Sequence, residues 1–145
     1  MKYCIRFASK NNLTNTENAM IKNKYTLEFD MKGTPESLLW MYIATPNGLS
    51  QWFADEVVQV GKNFTFYWNK YPTDAVLMSS RMGERVKYRW VDEDDKTYFE
   101  FKITLSELTG HSQLSITDFA LPNEEDEAKA LWTKQIKTLK RKLGC

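Results

Sequence analysis

Residues 34 to 53 read TPESLLWMYIATPNGLSQWF, two short helical patterns with a break between them. Thr34 is placed to cap the first helix, and Pro35 suits its first position. Leu38, Leu39, Tyr42 and Ile43 follow at spacings that put them on one helical face. Thr45-Pro46-Asn47-Gly48 stops that helix and turns the chain. Leu49, Trp52 and Phe53 form a second apolar cluster at similar spacing. A strand pattern precedes this pair, a run of strand patterns follows it, and one long helix closes the chain. That order limits the fold strongly. It describes a protein that encloses something.

Working outward, Tyr25, Leu27, Phe29 and Met31 alternate with Thr26, Glu28 and Asp30, the pattern of a half-buried strand ended by Gly33. On the other side, Glu56 to Val60 reads as a short strand that Gly61-Lys62-Asn63 turns back. Phe64, Phe66 and Trp68 alternate with Thr65 and Tyr67, and Asn69 to Thr73 reads as a loop. Residues 74 to 82 make a strand whose inward face stays open between two sets, Ala75, Leu77, Ser79 and Arg81, or Val76, Met78, Ser80 and Met82. Val86, Tyr88 and Trp90 then share one face, and Phe99, Phe101, Ile103 and Leu105 share another. Leu114 and Ile116 continue the pattern towards Phe119. The turns between these strands are short, so the segment from 56 to 120 is expected to pair as an antiparallel meander.

Asn123 is the expected cap of the last helix, with Asp126 three residues on. Ala128, Leu131, Trp132, Gln135, Ile136, Leu139 and Leu143 fall on one face, and Gly144 ends the helix. Acids at 124 to 127 and bases at Lys137, Lys140, Arg141 and Lys142 complement the helix dipole. Such a helix is roughly 30 Å long, enough to lie across the whole sheet. The expected fold is α+β: a curved antiparallel sheet of about seven strands around a long C-terminal helix, with two short helices after strand 1.

At 145 residues the chain is read as one domain, residues 23–145, after a loose polar tail at 1–22. Met20 is an alternative start within that tail. The net charge of +1 excludes a strong field for nucleic acid or anionic membrane. The two cysteines, Cys4 and Cys145, stand at the chain ends without disulfide-framework or metal-ligand spacing. No apolar run reaches the roughly 20 residues of a membrane span. Arg6 interrupts the only candidate signal-peptide core. The expected location is cytoplasmic.

The order of elements, with Pro35, Leu39, Trp40, Thr45-Pro46, Leu49, Trp52 and Phe53 in the helical pair, resembles the START-like, Bet v 1-type helix-grip superfamily (SRPBCC). Within it, the resemblance is to the bacterial branch related to the Hsp90 ATPase activator homologues. Gly61, Phe64 to Phe66, then Val86, Tyr88 and Trp90, then Ser112, Leu114 and Ile116, and Trp132 carry it further along the chain. The match covers about residues 24 to 143. Ser112 stands where the family usually has Thr, and Asp118 where a His is common. The resemblance implies a helix-grip fold and a small apolar or amphipathic ligand held between sheet and final helix.

The expected cavity lining is Phe64, Phe66, Trp68, Tyr88, Trp90, Phe99, Phe101, Asp118, Leu131, Trp132 and Gln135. Asp118 continues the inward parity of Leu114 and Ile116, and an inward carboxylate needs a partner. Arg81 is the candidate for it; a rim position past the strand end is the competing reading. No catalytic set stands out, because the single histidine, His111, sits beside Gly110 in a turn and no nucleophile elbow is present. The acidic run at 92–95 lacks the spacing of a calcium loop and reads as a hairpin tip. Neither a metal nor a cofactor is expected. The function expected is non-enzymatic ligand binding. The alternatives are a protein-interaction or chaperone-regulating module, as a homodimer or with a chaperone partner, and, less favoured, a cyclase- or hydrolase-type enzyme.

Overall fold

The computed structural model describes residues 21–145. The tail reading and the alternative start at Met20 lie mostly outside those residues; of the tail, Ile21 is exposed and Lys22 pairs with Glu93. The elements follow in the order β1 (Asn23–Asp30), α1 (Glu36–Ala44), α2 (Pro46–Leu49), β2 (Glu56–Val60), β3 (Asn63–Trp68), β4 (Tyr71–Arg81), β5 (Arg85–Trp90), β6 (Phe99–Leu105), β7 (Ser112–Ala120) and α3 (Glu125–Leu143). One seven-stranded sheet has the order β1-β7-β6-β5-β4-β3-β2, antiparallel throughout. The meander from β2 to β7 is thus closed by the first strand pairing with the last, Tyr25 opposite Asp118 and Leu27 opposite Ile116.

The inner rows are the aromatic rows read from the sequence. Phe64, Phe66 and Trp68 of β3, Tyr88 and Trp90 of β5, Phe99 and Phe101 of β6, and Leu114 and Ile116 of β7 are all buried. Helix α3 buries Ala128, Trp132, Gln135, Ile136 and Leu139 against that face. Its acids lie in the first turn and its bases in the last, and Gly144 closes it with a left-handed cap.

Four local expectations are corrected. Thr34 does not cap α1: Pro35 holds the cap position, and the Thr34 hydroxyl donates back to the Met31 carbonyl at 2.8 Å. Asn123 does not cap α3 either; Glu124 is the cap residue, and no side chain caps that end. The loop expected at 69–73 shrinks to Asn69 and Lys70, both with positive φ, and Tyr71 already pairs with Trp68. Asn tolerates that conformation and makes the tight turn possible. The open question on β4 resolves towards Thr73 and Ala75, which are buried, with a register shift between Leu77 and Ser79. Beyond that irregularity Arg81 is exposed and pairs with Glu84 at 2.8 Å, so it is not the partner of Asp118.

Candidate functional site

The space between sheet and α3 is organised by Phe53, on the segment that leads from α2 into β2. Its ring stacks on Trp132 with centroids 5.6 Å apart and planes 12° apart, and on Phe99 at 5.7 Å. It meets Phe66, Trp68 and Phe101 edge-on at 5.2, 5.4 and 6.0 Å. The expected lining residues continue the cluster: Trp90 stacks on Phe99 at 4.8 Å, and Tyr88 meets Phe64 at 5.1 Å. These rings contact one another, and offset and edge-on pairs of this kind add to the burial of their faces.

The polar tips in this wall end on protein. Trp68 Nε1 donates to the Phe53 carbonyl at 2.8 Å, and Gln135 Nε2 reaches the same oxygen at 3.3 Å. The Tyr88 hydroxyl donates to the Ile43 carbonyl at 3.1 Å, and Trp52 Nε1 donates to the Tyr42 carbonyl at 2.8 Å. The last turn of α1 and the segment after α2 therefore supply the acceptors for these side chains of the core. Burial pushes the Tyr88 phenol above its usual range, so it stays a donor. Leu131 is half-buried, and the other ten expected lining residues fall into two groups: nine in this packed wall and Asp118 at one end of it.

At that end Asp118 faces inward, as its parity requires. Its Oδ1 accepts the Phe119 backbone N–H at 2.7 Å, and its Oδ2 accepts the Trp132 indole N–H at 2.9 Å. Burial nonetheless pushes its carboxyl up to about 6, with these two hydrogen bonds and the nearby Lys22 charge pulling the other way. Lys22 itself is paired with Glu93, and both side chains are largely buried. Tyr25 lies opposite Asp118 and is 7% exposed. Its hydroxyl makes no well-formed hydrogen bond among the described residues, although the Asp118 carboxylate and the Trp132 indole N–H lie close enough to act on it. Burial first, and then the Asp118 charge, hold the phenol protonated well above its ordinary range. Lys129 of α3 sits 5.5 Å from the Tyr25 ring centroid. A depression of about 540 Å³ beside the β5–β6 loop is lined by Lys22, Glu93, Lys96 and Phe119 among others, so it adjoins the Asp118 end of the sheet.

Sequence reasoning put Asp118 on the inward row with a rim position as the rival reading, and left Tyr25 and Phe53 out of the expected lining. Tyr25 carried a signal, since it shares parity with Leu27 and Phe29. Nothing local told that β1 returns beside β7 in the register that sets it opposite Asp118. His111, read as a turn residue, has its Nδ1 3.2 Å from Asp30 Oδ1 at an exposed position. The backbone N–H of Lys32, with the His111 contact, lowers the Asp30 carboxyl. No group of three His, Cys, Asp or Glu able to hold a metal occurs among the described residues. No helix among them is long and apolar enough to cross a membrane.

The raised Asp118 carboxyl gives a pH prediction. A carboxyl whose folded value lies above its unfolded one keeps extra protons in the folded state, so its burial costs stability once it ionises. Relative to Asp118→Asn, the wild-type chain should lose about 2 kcal/mol as the pH rises from about 4 to about 6, a figure reduced for partial solvent screening. Beyond pH 7 the difference should be flat. Urea unfolding of both chains at several pH values measures this; a difference that is constant across the range would contradict the burial of the charge.

A family model described as the START-like superfamily domain matches residues 19–145. A protein of Bacteroides fragilis solved by solution NMR is 38% identical over 83% of this chain and 90% of its own, with a TM-score of 0.61. The Aha1 dimer from Colwellia psychrerythraea is 14% identical over 83% of this chain and 96% of its own, with a TM-score of 0.69. A protein of the dynemicin biosynthetic locus, DynU16, is 16% identical over 83% of this chain and 47% of its own, with a TM-score of 0.67. No curated protein matches the sequence significantly.

Proposed function

The chain belongs to the START-like superfamily, and from that membership we propose that it is a non-enzymatic binding protein. Its ligand is a small hydrophobic or amphipathic molecule held between the curved sheet and α3, with the polar end of the ligand towards Tyr25 and Asp118. Members of this superfamily commonly bind hydrophobic ligands, which supports the class of ligand without naming one.

The observation that carries the reading is the Tyr25 hydroxyl. A buried polar group without a hydrogen bond costs stability, and native interiors rarely keep one. The aromatic wall offers no comparable opening for a polar group, since the tips of Trp52, Trp68, Tyr88 and Trp132 are already satisfied. A ligand whose head group bonds Tyr25 relieves that cost, and its apolar part enters by parting the rings of Trp132, Phe53 and Phe101, which close on one another without it. Polar orientation by one or two groups in an otherwise apolar site is the usual division of labour in small-molecule recognition.

Thermal stabilisation by a library of fatty acids, sterols and aromatic metabolites, paired with Tyr25→Phe, tests it. The variant should be as stable as the wild type or about 1 kcal/mol more stable without ligand, because the unpaired hydroxyl is gone. It should lose most of the stabilisation given by any polar-headed hit. A library without hits, or a hit that Tyr25→Phe binds equally well, would count against the site.

A further inference from the structure

At the Asp118 end of the sheet acids outnumber bases, and the cations that reach Asp118 and Tyr25 are engaged. Asp118 of β7 stands opposite Tyr25 of β1, and α3 brings the Trp132 indole N–H to its Oδ2. The cation that acts on its charge is Lys22, and that ammonium is bonded to Glu93 of the β5–β6 loop. Two carboxylates therefore share one ammonium. On α3, Lys129 is bonded to Glu125 at 2.8 Å and brings no spare charge to the Tyr25 ring beside it. The adjoining depression sets Asp92 and Asp94 against Lys96. Resting on the ligand site argued above, we propose that the polar end of the ligand is a protonated amine, held by Asp118 and Tyr25 together.

Two independent observations point to that head group. The first is the charge itself. A carboxylate held away from water needs a cation or several donors to balance it. Asp118 has one donor on each oxygen, the Phe119 backbone N–H and the Trp132 indole N–H. Each oxygen keeps a further lone pair, and an ammonium supplies three N–H groups that can meet them. The second is the Tyr25 hydroxyl, on a residue only 7% exposed and without a well-formed hydrogen bond among the described residues. Burial and the Asp118 charge keep the phenol protonated. Its oxygen therefore offers lone pairs to an N–H donor, while its proton stays available to the carboxylate. One ammonium beside both residues makes charge-assisted bonds to each.

Other head groups fit less well. An alcohol meets Tyr25 but leaves the Asp118 charge unbalanced. A carboxylate adds a like charge where no spare cation stands. A metal ion finds no group of three His, Cys, Asp or Glu among the described residues. The same geometry makes affinity depend on pH, because Asp118 must be ionised to hold an ammonium. Around it Lys22 and Glu93, and Glu125 and Lys129, are held in ion pairs, and such groups keep their charges between about pH 5 and about pH 8. The Asp118 carboxyl is pushed up to about 6. Amine affinity should therefore fall about tenfold from about pH 7.5 to about pH 5, and alcohol affinity by less.

Two series of probes test this, one with a decyl and one with a naphthylethyl tail, each ending in an ammonium, a hydroxyl or a carboxylate. Isothermal titration of the full chain gives the affinities, and the Trp132 indole resonance in NMR spectra reports binding at this site. The amine should bind about tenfold more tightly than its alcohol at about pH 7.5, with the carboxylate weakest. Asp118→Asn should bring the amine down to the affinity of the alcohol. Glu93→Gln, which leaves Lys22 to Asp118 alone, should narrow the amine's advantage with Asp118 intact. An amine that binds no better than its alcohol, while Tyr25→Phe still weakens both, overturns the amine assignment and leaves the ligand site standing. So does an amine preference that both Asp118→Asn and Glu93→Gln leave unchanged. Absence of binding in both series up to about 1 mM overturns the site and the assignment together.

Discussion

Phe53→Ala lowers the free energy of unfolding by about 4 kcal/mol, the largest loss expected from a single core truncation in this chain. The residue is 3% exposed and touches rings from β3, β6 and α3 at once. Truncating it removes the stacking partner of Trp132 and opens a void that rings fixed by hydrogen bonds fill poorly. Trp68 and Gln135 both bond the Phe53 carbonyl, and Trp132 is tied to Asp118. For a domain of this size the loss corresponds to a fall in melting temperature of roughly 10 to 15 °C. Thermal and urea unfolding followed by circular dichroism measure it, with Phe53→Leu as the control that keeps most of the volume. A loss under about 1.5 kcal/mol for the alanine variant would mean that the cluster closes over the gap, and that the wall is looser than its contacts indicate.

Gly48→Ala is expected to be nearly as damaging for an opposite reason. A Cβ at this position would stand 2.0 Å from the Met41 carbonyl oxygen and 2.6 Å from the Tyr42 Cα. Both are backbone atoms of α1, so no side-chain rotation relieves the overlap. Only a glycine lets α2 lie directly on the last turn of α1, where the Thr45 hydroxyl accepts the Gly48 N–H at 3.0 Å and donates to the Met41 carbonyl at 2.6 Å. Forcing the helices apart displaces Leu49, Trp52 and Phe53 together, because they follow within the same turn and its extension. The cost is about 3 kcal/mol, at the upper end for overpacking. Proteolysis should then cut first in the segment from 45 to 55. Ala at 48 with unchanged stability and unchanged protease resistance would show that the two helices separate freely.

How much of this was legible in the sequence follows the range of the interactions. The period-2 rows of β3, β5, β6 and β7 and the three- and four-residue steps of α3 are local signals. They set which aromatic rings turn inward without reference to any other strand. Residues 69 to 73 misled, because a Pro within a polar stretch reads as a loop, whereas Pro72 here sits inside a strand after a two-residue turn. The two expected caps failed as well. Thr34 and Asn123 each lie one residue before the cap position, which Pro35 and Glu124 hold.

The sequence by itself determined the order of elements, the inward rows and the long amphipathic helix, because each rests on periodicity along a few consecutive residues, and the resemblance of that order to the superfamily implied the helix-grip architecture. Only the tertiary structure decided that Tyr25 meets Asp118, that Arg81 leaves it, that Phe53 joins the sheet to α3, and that Gly48 must lack a side chain. Those depend on the closing of β1 against β7 and on an irregularity in β4. They depend too on an approach of two backbones that no spacing in the chain encodes. Burial of a charge or a hydroxyl has a cost only in relation to what surrounds it, and the surroundings are assembled from residues more than ninety positions apart.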